Sequence, residues 1–142
     1  PRPETEILVE EVLKILPNFS SEKEITIVDT FTGSGNIPIS IAKHIQKENH
    51  NQNVFIYGID VNLKTLHCAN ENNLLHKTQN RVRFLHGDLL EPLDVLPLKN
   101  NVDIITANPP YIKTHELDNL SQEVKKEPKL ALDGGDDGLF FY

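Results

Sequence analysis

The sequence predicts an α/β fold: a parallel β-sheet covered on both of its faces. Two observations carry that prediction. Short apolar runs rich in isoleucine and valine stand at residues 25–28, 54–60, 81–88 and 101–107. Segments with apolar residues three or four apart precede the first run and separate it from the second, and the second from the third.

Residues 7–16 place Leu8, Val9, Val12, Leu13 and Leu16 on one helical stripe, led by the acidic Glu4 and Glu6 and closed by Pro17. A polar loop at 18–24 leads into the first strand, 25–28. The turn "DTFTGSGN" (29–36) follows, and Pro38 suits the first turn of a helix that aligns Ile37, Ile41 and Ile45. "QKENHNQN" (46–53) is a solvated connection to the second strand, 54–60. A helix at 62–76 then lines up Leu63, Leu66, Asn70 and Leu74. The third strand spans 81–88 and the fourth 101–107. The tail, 113–142, holds a short helix at 117–125 and a turn-rich "DGGDDG" at 133–138. There is no internal repeat and no low-complexity tract.

A chain of 142 residues, 38% hydrophobic and 25% charged, is one domain or part of one. Its net charge of −7 argues against a nucleic-acid-binding surface within this segment. No apolar run approaches the roughly 18 residues that a membrane helix needs. The single Cys68 cannot form an internal disulfide and reads as a small buried hydrophobe. The six histidines are scattered, so no metal site is assigned. The chain contains no methionine, opens on "PRPETE" and stops at "GLFFY". These features predict a piece excised from a longer protein.

In a doubly wound sheet, ligands bind at the carboxyl ends of the strands, near the switch in strand order. Four unusual groups fall there. After the first strand stands Asp29-Thr30-Phe31-Thr32-Gly33-Ser34-Gly35, whose glycines let the backbone approach a ligand and open a helix N-terminus. Glycine turns also follow many strands that bind nothing. Asp60 ends the second strand, placed to accept both hydroxyls of a ribose. Gly87-Asp88 ends the third and suits either an adenine amino group or a turn. A nicotinamide enzyme would show Gly-x-Gly-x-x-Gly, whereas "GSGNIP" has Pro38 at the last position.

The fourth end is Asn108-Pro109-Pro110-Tyr111. Residues before proline are driven out of the helical region, so Asn108 and Pro109 are expected to stay extended, with their carbonyls outside any helical hydrogen bonding. The prolines add no competing N–H. The result is a stiff ledge of acceptors, the Asn108 side-chain oxygen and the Pro109 main-chain oxygen, with Tyr111 adding an aromatic face. Such a ledge suits a planar –NH2 group held by its two hydrogens.

Taken together, "PRPETE", "DTFTGSG", "YGID", "NPPYI" and "EPKLALDGGDDGL" resemble the glutamine methyltransferases that modify peptide chain release factors. Asn-Pro-Pro-Tyr alone is shared with methyltransferases acting on adenine in DNA; the flanking motifs are the more specific. The resemblance spans the whole chain. It implies a class I S-adenosylmethionine-dependent (Rossmann-like) fold, and makes residues 1–142 the N-terminal part of a catalytic domain, without a preceding helical domain or the final strands. With that strand cover missing, marginal stability is expected, because the fourth strand would lie exposed at an edge.

By the same resemblance, S-adenosylmethionine would lie along Asp29, Thr30, Phe31, Thr32, Gly33 and Gly35. Its ribose would sit on Asp60 and its adenine near Asp88, with Asn108 also at the donor. The substrate would be the glutamine of a Gly-Gly-Gln loop, with Asn108, Pro109 and Tyr111 catalytic and Asn108, Pro109, Pro110, Tyr111 and Arg2 in contact with it. The partner would then be a release factor, with no direct nucleic acid and no membrane. Phe31 departs from the family, which has a glycine there, and a bulky residue calls for an ordinary backbone conformation. The "DTFTG" variant is similar to fungal mitochondrial members, which implies the mitochondrial matrix, with the cytoplasm as the alternative. Two rival readings are an amino methyltransferase acting on adenine in nucleic acid and a non-catalytic module that has kept only the fold.

Overall fold

A computed structural model describes residues 3–20, 22–48, 53–95, 101–122, 124 and 129–141. The chain divides into two units, Pro1–Ala107 and Asn108–Tyr142. Each is described by itself.

The first unit opens with helix α1 (Pro3–Ile15) and a 3-10 turn, Leu16–Asn18. Val12 and Leu16 are its buried anchors, and Pro17 falls in the turn, where its missing N–H breaks no α-helical bond. Strand β1 (Glu24–Thr30) is buried at every position after Glu24. A strand covered on both faces reads this way, apolar without alternation. Then come α2 (Asn36–Lys47), β2 (Asn53–Asp60), α3 (Leu63–His76), β3 (Val82–His86), a 3-10 turn (Glu91–Val95) and β4 (Ile104–Ala107).

The sheet has the order β3-β2-β1-β4, and every pairing is parallel. The chain steps outward from β1 to β3 and returns to the other side of β1, so β1 is the switch strand. Its last residues face both neighbours: Asp29 is opposite Gly58 on β2 and opposite Thr106 on β4. Side chains alternate between two unequal layers. Ile25, Ile27, Val54, Ile56 and Val82 pack with Val12, Leu16, Ile37, Ile41 and Ile45. On the opposite face, Val28 and Ile59 meet Leu93 with partial cover from Tyr57, Leu85 and Val102. Each fully buried aliphatic side chain contributes about 1.5–3 kcal/mol, so the helical face carries most of the burial energy.

β4 begins later than the sequence pattern implies, at Ile104 rather than residue 101, and β3 is Val82–His86 rather than 81–88. Ahead of β4, Asp103 makes the attachment. Its carboxylate accepts from the Thr26 N–H (3.0 Å) and pairs with Lys23, which holds it below the usual carboxylate range. Among the described strands β4 is an edge, and Ile105 is 54% exposed.

Of the expected Leu63–Leu66–Asn70–Leu74 stripe, helix α3 buries Leu66 alone, together with Ala69 and Asn73; Leu63 and Leu74 are 65% and 62% exposed. A polar anchor sets this rotation. Asn73 Nδ2 donates to the Val82 carbonyl (3.1 Å), and Thr78 Oγ1 donates to Asn73 Oδ1 (2.6 Å). Burying an amide is tolerable only when it is so bonded, and counting apolar residues cannot find such a site. The same rotation turns Cys68 outward, so it is exposed rather than buried.

In the second unit the expected helix at 117–125 is replaced by a 3-10 turn at Thr114–Asn119; residues 123 and 125 lie outside the described residues. Lys113 gives that turn no side-chain cap, and Leu120 is already extended. Ile112 forms a parallel bridge with Asp133, and the turn that follows uses positive φ at Gly135 (86°) and Gly138 (78°).

Candidate functional site

The loop between β1 and α2 turns through three left-handed residues, Phe31 (φ 57°), Gly33 (φ 56°) and Gly35 (φ 81°). Phe31 therefore keeps a glycine-like conformation, contrary to the sequence expectation of an ordinary one. For a residue with a Cβ this costs about 1–2 kcal/mol. The surrounding bonds hold it: the Thr32 N–H donates to the Ile59 carbonyl (3.0 Å), and the Gly35 N–H to the Thr32 carbonyl (3.0 Å).

Asp29 fixes the loop from beneath. It is wholly buried; its Oδ2 accepts from Thr32 Oγ1 (2.7 Å) and its Oδ1 from Thr106 Oγ1 (2.6 Å). Burial pushes its pKa up to about 7, against the pull of both hydroxyls, and the nearby Asp60 charge adds to the rise. The sequence reading placed the methyl donor along Asp29; the structure leaves Asp29 no exposed surface and uses it to tie the loop to β4. Thr30 and Thr32 are also buried.

The two glycines divide the work expected of both. A Cβ on Gly35 would stand 2.5 Å from Phe84 Cζ and 3.2 Å from Ile39 Cδ1, so its bareness makes room for the protein's own ring. A Cβ on Gly33 would meet nothing within 4 Å. Gly33 is the one that faces open space. Sequence reasoning missed Gly58 and Phe84: a Cβ on Gly58 would meet the same ring at 2.5 Å. The signal was a glycine inside an apolar strand, a mark of close approach.

Asp60 is half-buried at the end of β2. Its Oδ2 accepts from the Gly33 N–H (2.8 Å) and its Oδ1 from the Asn62 N–H (2.9 Å). Each carboxylate oxygen retains a second lone pair, so the pair is oriented and still able to accept two hydroxyls. Asp88 is exposed past β3, and the Gly87 N–H ties that strand end to the Asp60 carbonyl (3.2 Å). Open space over Gly33 beside an oriented carboxylate fits a nucleoside-bearing donor. Among the described residues no group of three or more His, Cys, Asp or Glu is placed to hold a metal. A groove of about 850 Å³ runs between α2 and α3, lined by Lys43, His44, Lys47 and His76 among others. It lies on the helix surfaces and takes no part in this arrangement.

In the second unit, Pro109 and Pro110 are buried, Asn108 is half-buried and Tyr111 is 43% exposed. The segment is backed by glycines. A Cβ on Gly134 would come within 2.8 Å of both the Pro110 carbonyl oxygen and Tyr111 Cα, and one on Gly138 within 2.6 Å of the Tyr111 carbonyl oxygen. "DGGDDG" is thus the bed on which "PPY" lies. Arg2 lies outside the described residues.

Comparison with known proteins decides the family. Residues 1–136 match the family model described as N-6 DNA Methylase. The chain belongs to the N-6 DNA methylase family. Among curated relatives of this family member, the release factor glutamine methyltransferase of Thermodesulfovibrio yellowstonii is 43% identical over 146 residues, covering all of this chain and 47% of the relative. That of Moorella thermoacetica is 42% identical over 142 residues, covering all of this chain and 46% of the relative. The chain thus spans about half the length of the curated relatives it matches. Among solved structures, M. capricolum TrmK in complex with S-adenosyl-homocysteine superposes with a TM-score of 0.56 at 17% identity, covering 87% of this chain and 48% of that one. The likeness shows the fold: class I, Rossmann-like, built on a parallel central sheet as the sequence predicts.

Proposed function

We propose that the whole protein methylates the side-chain amide nitrogen of the glutamine in the Gly-Gly-Gln loop of a peptide chain release factor, with S-adenosylmethionine as methyl donor. The observation that carries this reading is the match of the entire chain, at 43% and 42% identity, to release factor glutamine methyltransferases. The ledge at Asn108-Pro109-Pro110-Tyr111 supplies the chemistry.

An amide nitrogen is a poor nucleophile because its lone pair is delocalised into the carbonyl. Asn108 Oδ1 and the Pro109 carbonyl accept its two N–H bonds, fix its direction and stabilise the positive charge that develops on it. Holding reacting atoms about 3–3.5 Å apart supplies on the order of 7–11 kcal/mol. When bound, S-adenosylmethionine offers an electrophilic methyl carbon on a sulfonium. The methyl group would pass from that sulfonium to the amide nitrogen held by Asn108 Oδ1 and the Pro109 carbonyl, the donor leaving as its thioether, and the nitrogen would give its proton to water without a strong base. Asp60 holds the donor's ribose hydroxyls and Gly33 leaves space for its backbone approach; Asp88 serves the adenine end.

The family's description favours a second reading, methylation of an adenine amino group in DNA. The same ledge would hold that –NH2, but the net charge of −7 opposes a DNA surface. Incubating the full-length protein and labelled donor with a release factor and with duplex DNA separates the two. Label on one glutamine of the factor supports the proposal; label on DNA alone overturns it. In the same assay Asn108→Ala is expected to keep donor affinity and lose at least about a hundredfold in turnover. Near-normal turnover removes the ledge. The mitochondrial setting suggested by "DTFTG" belongs to this proposal too, and fractionation of the source cells tests it.

A further inference from the structure

Catalysis by the ledge requires that Pro109 and Tyr111 be held still, yet prolines cannot be held through N–H groups of their own. What meets their neighbour Pro110 and Tyr111 itself lies on the other side of the small bridge. The Ile112 N–H donates to the Leu132 carbonyl (3.0 Å), the Gly134 N–H to the Ile112 carbonyl (2.8 Å), and the Thr114 N–H to the Gly135 carbonyl (3.0 Å). One side-chain pair locks this ladder: Thr114 Oγ1 donates to Asp133 Oδ1 at 2.7 Å, and the Gly135 N–H donates to the same oxygen at 3.0 Å. Those bonds keep the Asp133 carboxyl below its ordinary range. Gly134, next to Asp133, is the residue on which Pro110 and Tyr111 rest.

We propose that Thr114 and Asp133 are positioning residues for the Asn108-Pro109-Pro110-Tyr111 ledge. Their hydrogen bond fixes the register of residues 112–114 against 132–135, and through Gly134 sets the seat of Pro110 and Tyr111. This assignment rests on the methyl-transfer reading above. It gives the "LDGGDDG" segment a task that a solvated turn would not need.

The test uses the full-length protein with Thr114→Val, Thr114→Ser, Asp133→Ala, Asp133→Asn and, alongside them, Asn108→Ala. Valine and alanine delete the bond; serine keeps the donor and asparagine keeps the acceptor oxygen. Thr114→Val and Asp133→Ala are expected to lower kcat about tenfold with KM for the release factor and donor affinity within twofold. Thr114→Ser and Asp133→Asn should restore most of kcat. Amide exchange at Ile112 and Gly134 should quicken in the first two and not in the second two. Wild-type kcat in Thr114→Val beside a crippled Asn108→Ala refutes the clamp and leaves the ledge standing. If Asn108→Ala is itself unimpaired, the ledge reading fails. In that case unchanged amide exchange in Thr114→Val refutes the clamp as well, and quickened exchange upholds its hold on the segment.

Discussion

Two aspartates open two glycine-bearing turns, and each carboxylate accepts a threonine hydroxyl at 2.7 Å: Asp29 from Thr32, and Asp133 from Thr114. Their acidities nevertheless move in opposite directions. Asp29 is raised to about 7, with burial as the leading cause, whereas Asp133, facing solvent, is lowered by its hydrogen bonds. The local motif is nearly the same, and each carboxylate accepts a second bond as well, Asp29 from the Thr106 hydroxyl and Asp133 from the Gly135 N–H. What differs is how much water each has lost. Desolvation disfavours the charged form strongly enough to override two good hydrogen bonds at Asp29, while at Asp133 it is the weaker influence and the bonds from Thr114 and Gly135 prevail.

The largest expected effect tests that cause directly. Because Asp29 has a folded pKa above its unfolded value, the stability it confers is fully present below about pH 4 and is lost as pH rises towards 7. A gap of about three units corresponds to about 4 kcal/mol. Asp29→Asn, which cannot ionise, should flatten that fall, so that the variant gains on the wild type as pH rises. Urea unfolding from pH 4.5 to 8 reads it out, and parallel curves for the two proteins would show that burial is not the cause. Asp133 should act with the opposite sign, its contribution fully present above the ordinary carboxylate value and lost as pH falls through its lowered pKa.

A smaller effect separates the glycines of the two turns. Gly134→Ala forces a methyl group against three backbone atoms, Pro110 O, Tyr111 Cα and Gly138 O, none of which can swing away. It should cost about 1–3 kcal/mol, as overpacking does, read as faster amide exchange at Ile112. Gly33→Ala meets open space and pays only for its left-handed backbone, about 1 kcal/mol. Thermal melts that rank these two the other way would mean that backbone strain outweighs contact.

Phe31→Gly should have the smallest effect. Glycine relieves about 1–2 kcal/mol of left-handed strain and returns about 0.5–1 kcal/mol as backbone entropy. Unfolding should stay within about 1 kcal/mol of wild type. A larger loss would show that the ring's packing, and not the backbone, decides why phenylalanine stands there.

Much of this molecule is legible in the chain before any coordinates. Isoleucine and valine runs mark β1 and β2 because a doubly covered strand must be apolar on both sides, and Pro38 and the Ile37–Ile41–Ile45 spacing mark α2. Asp60 and the Asn108 segment are visible as polar groups closing apolar runs. The rotation of α3 was not, because a buried amide set it: Asn73 is held by a carbonyl of β3 and by Thr78. Nor was the end of the tail's short turn, where no apolar stripe exists to read.

Composition and periodicity, then, determined the alternation of strand and helix, since both follow from which faces must leave water. They also determined the residues gathered at the strand ends. Tertiary structure alone decided the state and task of each of those residues. Asp29 became a buried tie instead of a ligand contact, Gly35 a seat for Phe84 and Gly33 the open position. The reason is physical: solvent loss and close contact belong to positions in space, and neighbours as far apart in sequence as Asp29 and Thr106 meet only when the sheet closes.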